Sequence, residues 1–273
     1  MKIALIQSMV YEENEKNIEN AIFQIQNCAK NGAEMVVLPE MFCCPYQTKK
    51  FPIYAQEENG ENFLKLSKCA KDNNIYVVAG SMPESFEGKT YNTSYVFNKQ
   101  GEKIAKHRKV QLFDVDIKGG QYFKESDTLS DGNEVTVFDT EYGKFGLLIC
   151  FDIRFQELSR IARLKGANCI IVPAAFNMTT GPLHWELLFR ARAVDNQIFT
   201  VGTSSARDEK GEYVSYANSI IVSPWGEVVA RLSDKEDVLY YDLDFSKIDQ
   251  VREQIPQNRK TNLYSINYKN EKL

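Results

Sequence analysis

The apolar run GLLIC, residues 146–150, ends in a cysteine, and Asp152 and Arg154 stand directly behind it. Free cysteines are commonly small buried hydrophobes, and Cys28, Cys69 and Cys169 fit that description inside helical or strand patterns. Cys150 differs by its place at the carboxyl end of a strand pattern, the edge where open α/β sheets gather their sites. A helical pattern over 155–166 follows, and a helix N-terminus favours a thiolate. Both readings of Cys150, inert core thiol and nucleophile, are open from position alone. A nucleophilic thiol needs a base and a group that stabilises an oxyanion. Glu40 closes VVLPE and brings a carboxylate to the same sheet edge, behind Pro39, which restricts the local backbone. Burial near an apolar core would raise its pKa and suit it to proton transfer near neutrality; a carboxylate that merely faces water is the alternative. Lys109 closes IAKHRK. It is either part of a solvated basic cluster with Lys106 and Arg108, or a buried ammonium beside carboxylates that holds a developing negative charge. His184, in GPLHWELL, keeps a cysteine–histidine hydrolase in view.

The elements that must position these residues alternate in type. KIALIQ, MVVLPE, IYVVAGS and TYNTSYVFN read as strands; Ile18, Ala21, Ile22, Ile25 and Ala29 recur at helical spacing over 14–31; and a second helix lies around ENFLKLSKCAKDNN. The second half repeats the scheme with KFGLLIC, a helix over 155–166, CIIVPAA, a helix over 184–196, IFTVGTS and NSIIVSPWG. Such alternation predicts an α/β protein with helices on the sheet faces. The halves also resemble each other: YNTSYVFNKQGEKIAK (91–106) aligns without gaps on YANSIIVSPWGEVVAR (216–231). A pseudo-repeat of two similar sheets, each with two helices, accounts for the shared order. Irregular segments at 41–58 and 110–133 begin just after Glu40 and Lys109, and long loops inside a compact domain are usually functional.

Composition narrows the function classes. A net charge of −4 with no basic stripe gives no footprint for nucleic acid or an anionic membrane surface. The longest apolar stretch, CIIVPAAF, is far short of the ~20 residues that span a bilayer. MKIALIQS turns polar too soon for a secretory signal and reads as a first strand. The cysteines form no C-x-x-C pair, and with only His107 and His184 there is no zinc-ligand spacing, so reduced thiols in a cytoplasmic protein, and no metal or other cofactor, are expected. Cys43 and Cys44 read as loop thiols near a pocket mouth.

LPEMF, HRKVQLFD and LLICFDIRF, in that order, resemble the three signature segments of the nitrilase superfamily of carbon–nitrogen hydrolases, and the resemblance covers nearly the whole chain. It implies a four-layer α-β-β-α sandwich with a pseudo-twofold internal repeat, formed by 1–273 as a single carbon–nitrogen hydrolase domain. A homodimer is implied too, with the helix HWELLFRARAVDN and the tail at about 257–273 as its contacts. It implies a Glu40, Lys109 and Cys150 triad, and YFKES matches the motif of a further glutamate, Glu125. AAFNMTTGPLHWELLFRARAVDNQ, SSARDEKGEYVSYANS and VSPWGEV are similar to the omega-amidase branch, whose members hydrolyse the terminal amide of short dicarboxylate monoamides such as 2-oxoglutaramate and succinamate. The substrate partner would then be a small amide, with no nucleic acid and no membrane. By the same resemblance Arg154 clamps the far carboxylate, Tyr46 and Thr180 hydrogen-bond it, the Phe151 N–H joins Lys109 at the oxyanion, and the Phe176 carbonyl accepts from the amide nitrogen. An arginine can grip a carboxylate bidentately; a surface ion pair is the plainer alternative for Arg154. Asp152 is expected to be structural, as a cap or the partner of a nearby arginine. Deaminated glutathione or an N-carbamoyl compound is the alternative substrate, and a non-catalytic protein on the same fold is the alternative class.

Overall fold

Two β-sheets form the centre of the molecule in a computed structural model that describes all residues except 117–121, 258–262, 270 and 273. The first sheet contains β1 (Lys2–Gln7), β2 (Met35–Val37), β3 (Tyr76–Val78), β4 (Met82–Phe86), β5 (Lys89–Phe97) and β6 (Lys103–Arg108), with α1 (Asn14–Lys30), α2 (Phe51–Tyr54) and α3 (Glu61–Asp72) in its connections. A hairpin of β7 (Asp114–Asp116) and β8 (Tyr122–Lys124) leads to the second sheet. That sheet contains β9 (Thr136–Thr140), β10 (Gly143–Leu147), β11 (Cys169–Ala174), β12 (Phe199–Ser204), β13 (Ile220–Val222) and β14 (Val228–Arg231), with α4 (Gln156–Leu164) and α5 (Gly181–Asn196) between its parallel strands. The chain then returns as β15 (Asp237–Asp242) beside β1, and α6 (Ser246–Gln254) follows.

The internal repeat is plain in the topology. β1, β2 and β3 run parallel, and β5 and β6 add antiparallel strands. β10, β11 and β12 run parallel, and β13 and β14 add antiparallel strands. β15 and β9 flank the two series in equivalent antiparallel places. The aligned segments 91–106 and 216–231 therefore fall on β5–β6 and β13–β14.

Strand alternation builds the layers, because successive side chains point to opposite faces. Ile3, Leu5, Met35, Val37, Phe145, Leu147, Cys169, Ile171 and Val201 join one buried cluster between the sheets. Their alternates Ala4, Ile6 and Val36 pack on Ile18, Ile25, Leu66 and Cys69 of α1 and α3. On the other side, Ile170, Val172 and Ala174 pack on Leu158, Trp185 and Phe189 of α4 and α5. The result is the expected four-layer α-β-β-α sandwich. α5 starts at Gly181 rather than 184, because Pro182 suits the first turn. The segment 110–133 is less irregular than its sequence, since β7, β8 and a 3₁₀ turn at Glu125–Asp127 order much of it. Cys43 and Cys44 lie in the loop after Glu40 as expected, Cys44 lining an opening beside Tyr46, and both side chains are fully buried in the cluster with α1 and α3. The tail at 257–273 lies partly outside the described residues; within it, the Tyr268 hydroxyl accepts a hydrogen bond from the Val135 N–H at 2.8 Å.

The helix-to-sheet contact is closest at Gly202 of β12, where an added Cβ would lie 2.4 Å from the buried Phe189 ring. Gly202→Ala is expected to overpack this layer and destabilise the protein by about 1–3 kcal/mol. Thermal denaturation reads the change; an unaltered Tm would mean that the Phe189 ring has room to turn aside.

Candidate active site

Glu40 is set by a turn that few sequences could follow. β2 ends at Val37, the Leu38 N–H still bonds to the Val78 carbonyl at 3.0 Å, and the chain then swings through Pro39 into Met41, whose φ is +49°. Gly80 makes room: it has φ +51°, and a Cβ there would lie 2.1 Å from the Pro39 carbonyl oxygen. Ser81 closes the turn, donating its N–H to the Pro39 carbonyl at 3.2 Å and accepting the Met41 N–H at 3.1 Å on its hydroxyl. The Glu40 carboxylate, 1% exposed, is thus held by a fixed backbone.

Lys109 follows the last residue of β6. Its N–H donates to the Asn92 carbonyl and its own carbonyl accepts from Gly132, both at 2.8 Å. The solvated-cluster reading does not hold. Arg108 and Lys106 pair with Glu84, whereas the Lys109 side chain is fully buried and donates to Glu40 Oε1 at 2.9 Å and Glu125 Oε1 at 2.8 Å. Glu125 is fixed in turn by the Phe113 N–H at 2.7 Å on its other oxygen. Asn92 Nδ2 donates to Glu40 Oε1 at 2.8 Å. The Tyr46 hydroxyl donates to Glu125 Oε1 at 2.7 Å and lies 3.2 Å from Glu40 Oε1, so its one proton is engaged here before any substrate arrives.

Cys150 does not end a strand. β10 stops at Leu147, because the Ile149 N–H leaves the ladder for the Asp152 carboxylate at 3.0 Å. Cys150 opens a 3₁₀ turn, Cys150–Arg154, with φ +46°. A non-glycine residue held there stores roughly 1–3 kcal/mol of strain, a feature that clusters at functional sites. The turn brings the thiol within electrostatic reach of Glu40 and Lys109. Phe151, second in the turn, has an N–H in the stretch that lacks intrahelical acceptors.

The electrostatics follow from burial. Desolvation raises the Glu40 pKa, and the Lys109 ammonium only partly offsets it. Burial opposes the charge on Lys109, but Glu125 and Glu40 outweigh it and hold the ammonium above its ordinary pKa. Burial and the Glu40 charge push the Cys150 thiol well up. The thiol is thus favoured in its protonated form, with the Glu40 carboxylate and the Lys109 ammonium beside it.

Asp152 ties the two halves together. Fully buried, it accepts the N–H groups of Val110 at 3.1 Å and Gln111 at 2.7 Å on Oδ1, and those of Ile149 and His107 Nε2, each at 3.0 Å, on Oδ2. Of the two structural readings from sequence, the cap holds and the arginine partner does not: Asp152 caps the 3₁₀ turn through the Ile149 N–H, and its other partners are backbone N–H groups and a histidine. It clamps the chain after Lys109 to the chain before Cys150.

Arg154 ends the same turn. Its guanidinium lies 5.0 Å from the Phe176 ring centroid and 5.4 Å from that of Phe151, contacts His184 Nδ1 at 3.0 Å, and leaves a buried Nε without an acceptor. It makes no ion pair with a carboxylate among the described residues, and the Cys150 sulfur lies within electrostatic reach of it. The Phe176 carbonyl accepts the Tyr216 N–H at 2.6 Å, and Thr180 donates both its N–H, at 2.9 Å, and its hydroxyl, at 3.0 Å, to Asn177 Oδ1. Two openings, of about 410 and 550 Å³, flank Tyr46 and Tyr213. Among the described residues no group of three or more His, Cys, Asp or Glu is placed to share a metal ion. Sequence reasoning missed Asn92 and Tyr213, whose ring stands 4.5 Å from Tyr46. Asn92 left a trace, an amide where the repeat has Ala217; Tyr213, in a loop, left none.

Residues 2–253 match the carbon–nitrogen hydrolase family. The chain is 47% identical to the omega-amidase NIT2 of Xenopus tropicalis and 45% identical to that of Homo sapiens, in each case over 98% of both chains. The crystal structure of Saccharomyces cerevisiae Nit3, a member of branch 10 of the nitrilase superfamily, matches with a TM-score of 0.89 at 40% identity, covering 95% of this chain and 96% of that one.

Removing the Asp152 clamp strands several buried N–H donors. Asp152→Ala is expected to cost about 3–5 kcal/mol, read as a lower urea midpoint at unchanged m-value. An unchanged midpoint would mean that other contacts hold the two segments together.

Proposed function

The chain belongs to the carbon–nitrogen hydrolase family of the nitrilase superfamily, and from that premise we propose that it is an omega-amidase, hydrolysing the terminal amide of short dicarboxylate monoamides such as 2-oxoglutaramate and succinamate to the dicarboxylate and ammonia. The observation that carries the substrate class is Arg154: a half-buried guanidinium close to the Cys150 thiol, with an unpartnered Nε and no carboxylate of its own. A desolvated arginine in that state calls for an anion, and the far carboxylate of a monoamide supplies one. NIT2 relatives carry the omega-amidase name at 45–48% identity.

Glu40 takes the Cys150 proton, and the sulfur attacks the amide carbonyl carbon. Lys109 and the Phe151 N–H stabilise the oxyanion, a form of electrostatic support typically worth several kcal/mol. Protonated Glu40 passes its proton to the amide nitrogen, the C–N bond breaks, and ammonia leaves a thioester on Cys150. Glu40 then takes a proton from water as the oxygen adds to the acyl carbon. Collapse expels the thiolate, which recovers its proton from Glu40 and restores the resting site. Glu125, bonded to Lys109 and Tyr46, holds the ammonium in place. Thr180 lines the carboxylate end, and the Phe176 carbonyl accepts from the amide nitrogen. The protein acts in the cytoplasm as a homodimer through α5, whose exposed Leu183, Leu187 and Val194 form an apolar stripe beside Trp225, a pattern that marks interaction surfaces.

Ammonia release from 2-oxoglutaramate, succinamate and an N-carbamoyl amine tests the reading. Wild type should cleave the first two, Cys150→Ala none, and Arg154→Met should lower kcat/KM for succinamate roughly ten- to 150-fold; preference for the carbamoyl compound would overturn the substrate class. Because burial raises the Glu40 pKa and the base must be ionised, activity should fall with pH along an acid limb above the ~4.3 of a free glutamate. A limb at or below that value would remove Glu40 as the base.

A further inference from the structure

Arg154 is fixed from one helix at two points. Arg192 of α5 donates from Nε to the Ile153 carbonyl and from Nη2 to the Arg154 carbonyl, both at 2.9 Å, which pins the backbone. His184, in the first turn of the same helix, meets the guanidinium itself, Nδ1 to Nη1 at 3.0 Å. Its own place is set by its N–H, which donates to the Thr180 carbonyl at 2.8 Å. The Phe151 and Phe176 rings flank the guanidinium, and neither offers it a carboxylate or amide oxygen.

The chemistry of this pair has one solution. A guanidinium has only N–H donors, so His184 Nδ1 must present its lone pair, and the imidazole is neutral with its proton on Nε2. A neutral acceptor has a consequence that a carboxylate would not have. It satisfies one N–H and fixes the plane of the guanidinium, yet leaves the positive charge uncompensated for an incoming anion. An aspartate or glutamate in its place would occupy the clamp with an internal ion pair.

We infer that His184 is a positioning residue that determines specificity: its neutral imidazole orients Arg154 so that the remaining N–H groups meet the far carboxylate of the substrate. The inference rests on Arg154 being the carboxylate clamp. His184 touches neither the scissile amide nor Cys150 in this scheme, so it acts on substrate binding and not on the chemical steps.

Three variants and two substrates test it. His184→Asn places an amide oxygen near the position of Nδ1, whereas His184→Gln carries its oxygen past that position and His184→Leu removes the acceptor. With succinamate, His184→Leu and His184→Gln should raise KM about tenfold with kcat within about twofold of wild type, while His184→Asn recovers most of the loss. With butyramide, which keeps the chain length but lacks the carboxylate, kcat/KM should be the same in all four proteins. Thermal denaturation checks folding, and if His184→Leu does not fold, the Asn–Gln pair carries the comparison alone. Equal losses of kcat on both substrates would overturn the inference and make His184 part of the chemistry. An unchanged succinamate KM in His184→Gln and His184→Leu, with Arg154→Met impaired, would also overturn it while leaving the clamp in place. Should Arg154→Met leave succinamate unaffected as well, the clamp itself is wrong.

Discussion

A single buried ammonium organises this protein. Lys109 lies between Glu40 and Glu125 with no exposed side-chain surface, and each of the three groups would be costly to bury alone. Together they form a compact charged unit next to Cys150. Burial first, and then the Glu40 charge, raise the pKa of the thiol beside it. The strength of the arrangement depends on dryness: the same charges in water would neither shift the carboxylate nor attract an oxyanion strongly.

The unit can be assembled only because the chain repeats itself. The two series of parallel strands present their carboxyl ends to a common region, so the loop after β2 delivers Glu40 and the turn after β10 delivers Cys150. Lys109 arrives from the end of β6 and Glu125 from the hairpin segment beyond it. None of these attachments is soft. Gly80 admits the Glu40 turn, Gly132 approaches the backbone at Arg108, and Asp152 joins the Lys109 and Cys150 segments through four acceptor contacts. Strain at Met41 and Cys150 is tolerated because the surrounding sheets over-determine both positions.

The two ends of one short turn face different surroundings. Cys150 at its start faces the charged unit, while Arg154 at its end faces aromatic rings and an imidazole. Among the described residues the arginine pairs with no carboxylate, and α5 fixes it through Arg192 and His184. A short substrate with an amide at one end and a carboxylate at the other matches that separation.

The sequence alone determined the alternation of strands and helices, the repeat of 91–106 on 216–231, and the candidates Glu40, Lys109 and Cys150. Periodicity and turn chemistry act over a few residues, so they survive in a linear reading. They did not determine where β10 stops. GLLIC is apolar to its last residue, and only Asp152, capturing the Ile149 N–H, ends the ladder before the cysteine. Nor could spacing separate Lys109 from Lys106 and Arg108, three cations within four positions; the pleat and the partners across the site bury one and leave the others at Glu84. Asn92, Tyr213 and His184 became part of the site through contacts that span tens of residues in the chain. Contacts of that kind are decided by packing, so only the tertiary structure gave these residues their places beside Glu40, Tyr46 and Arg154.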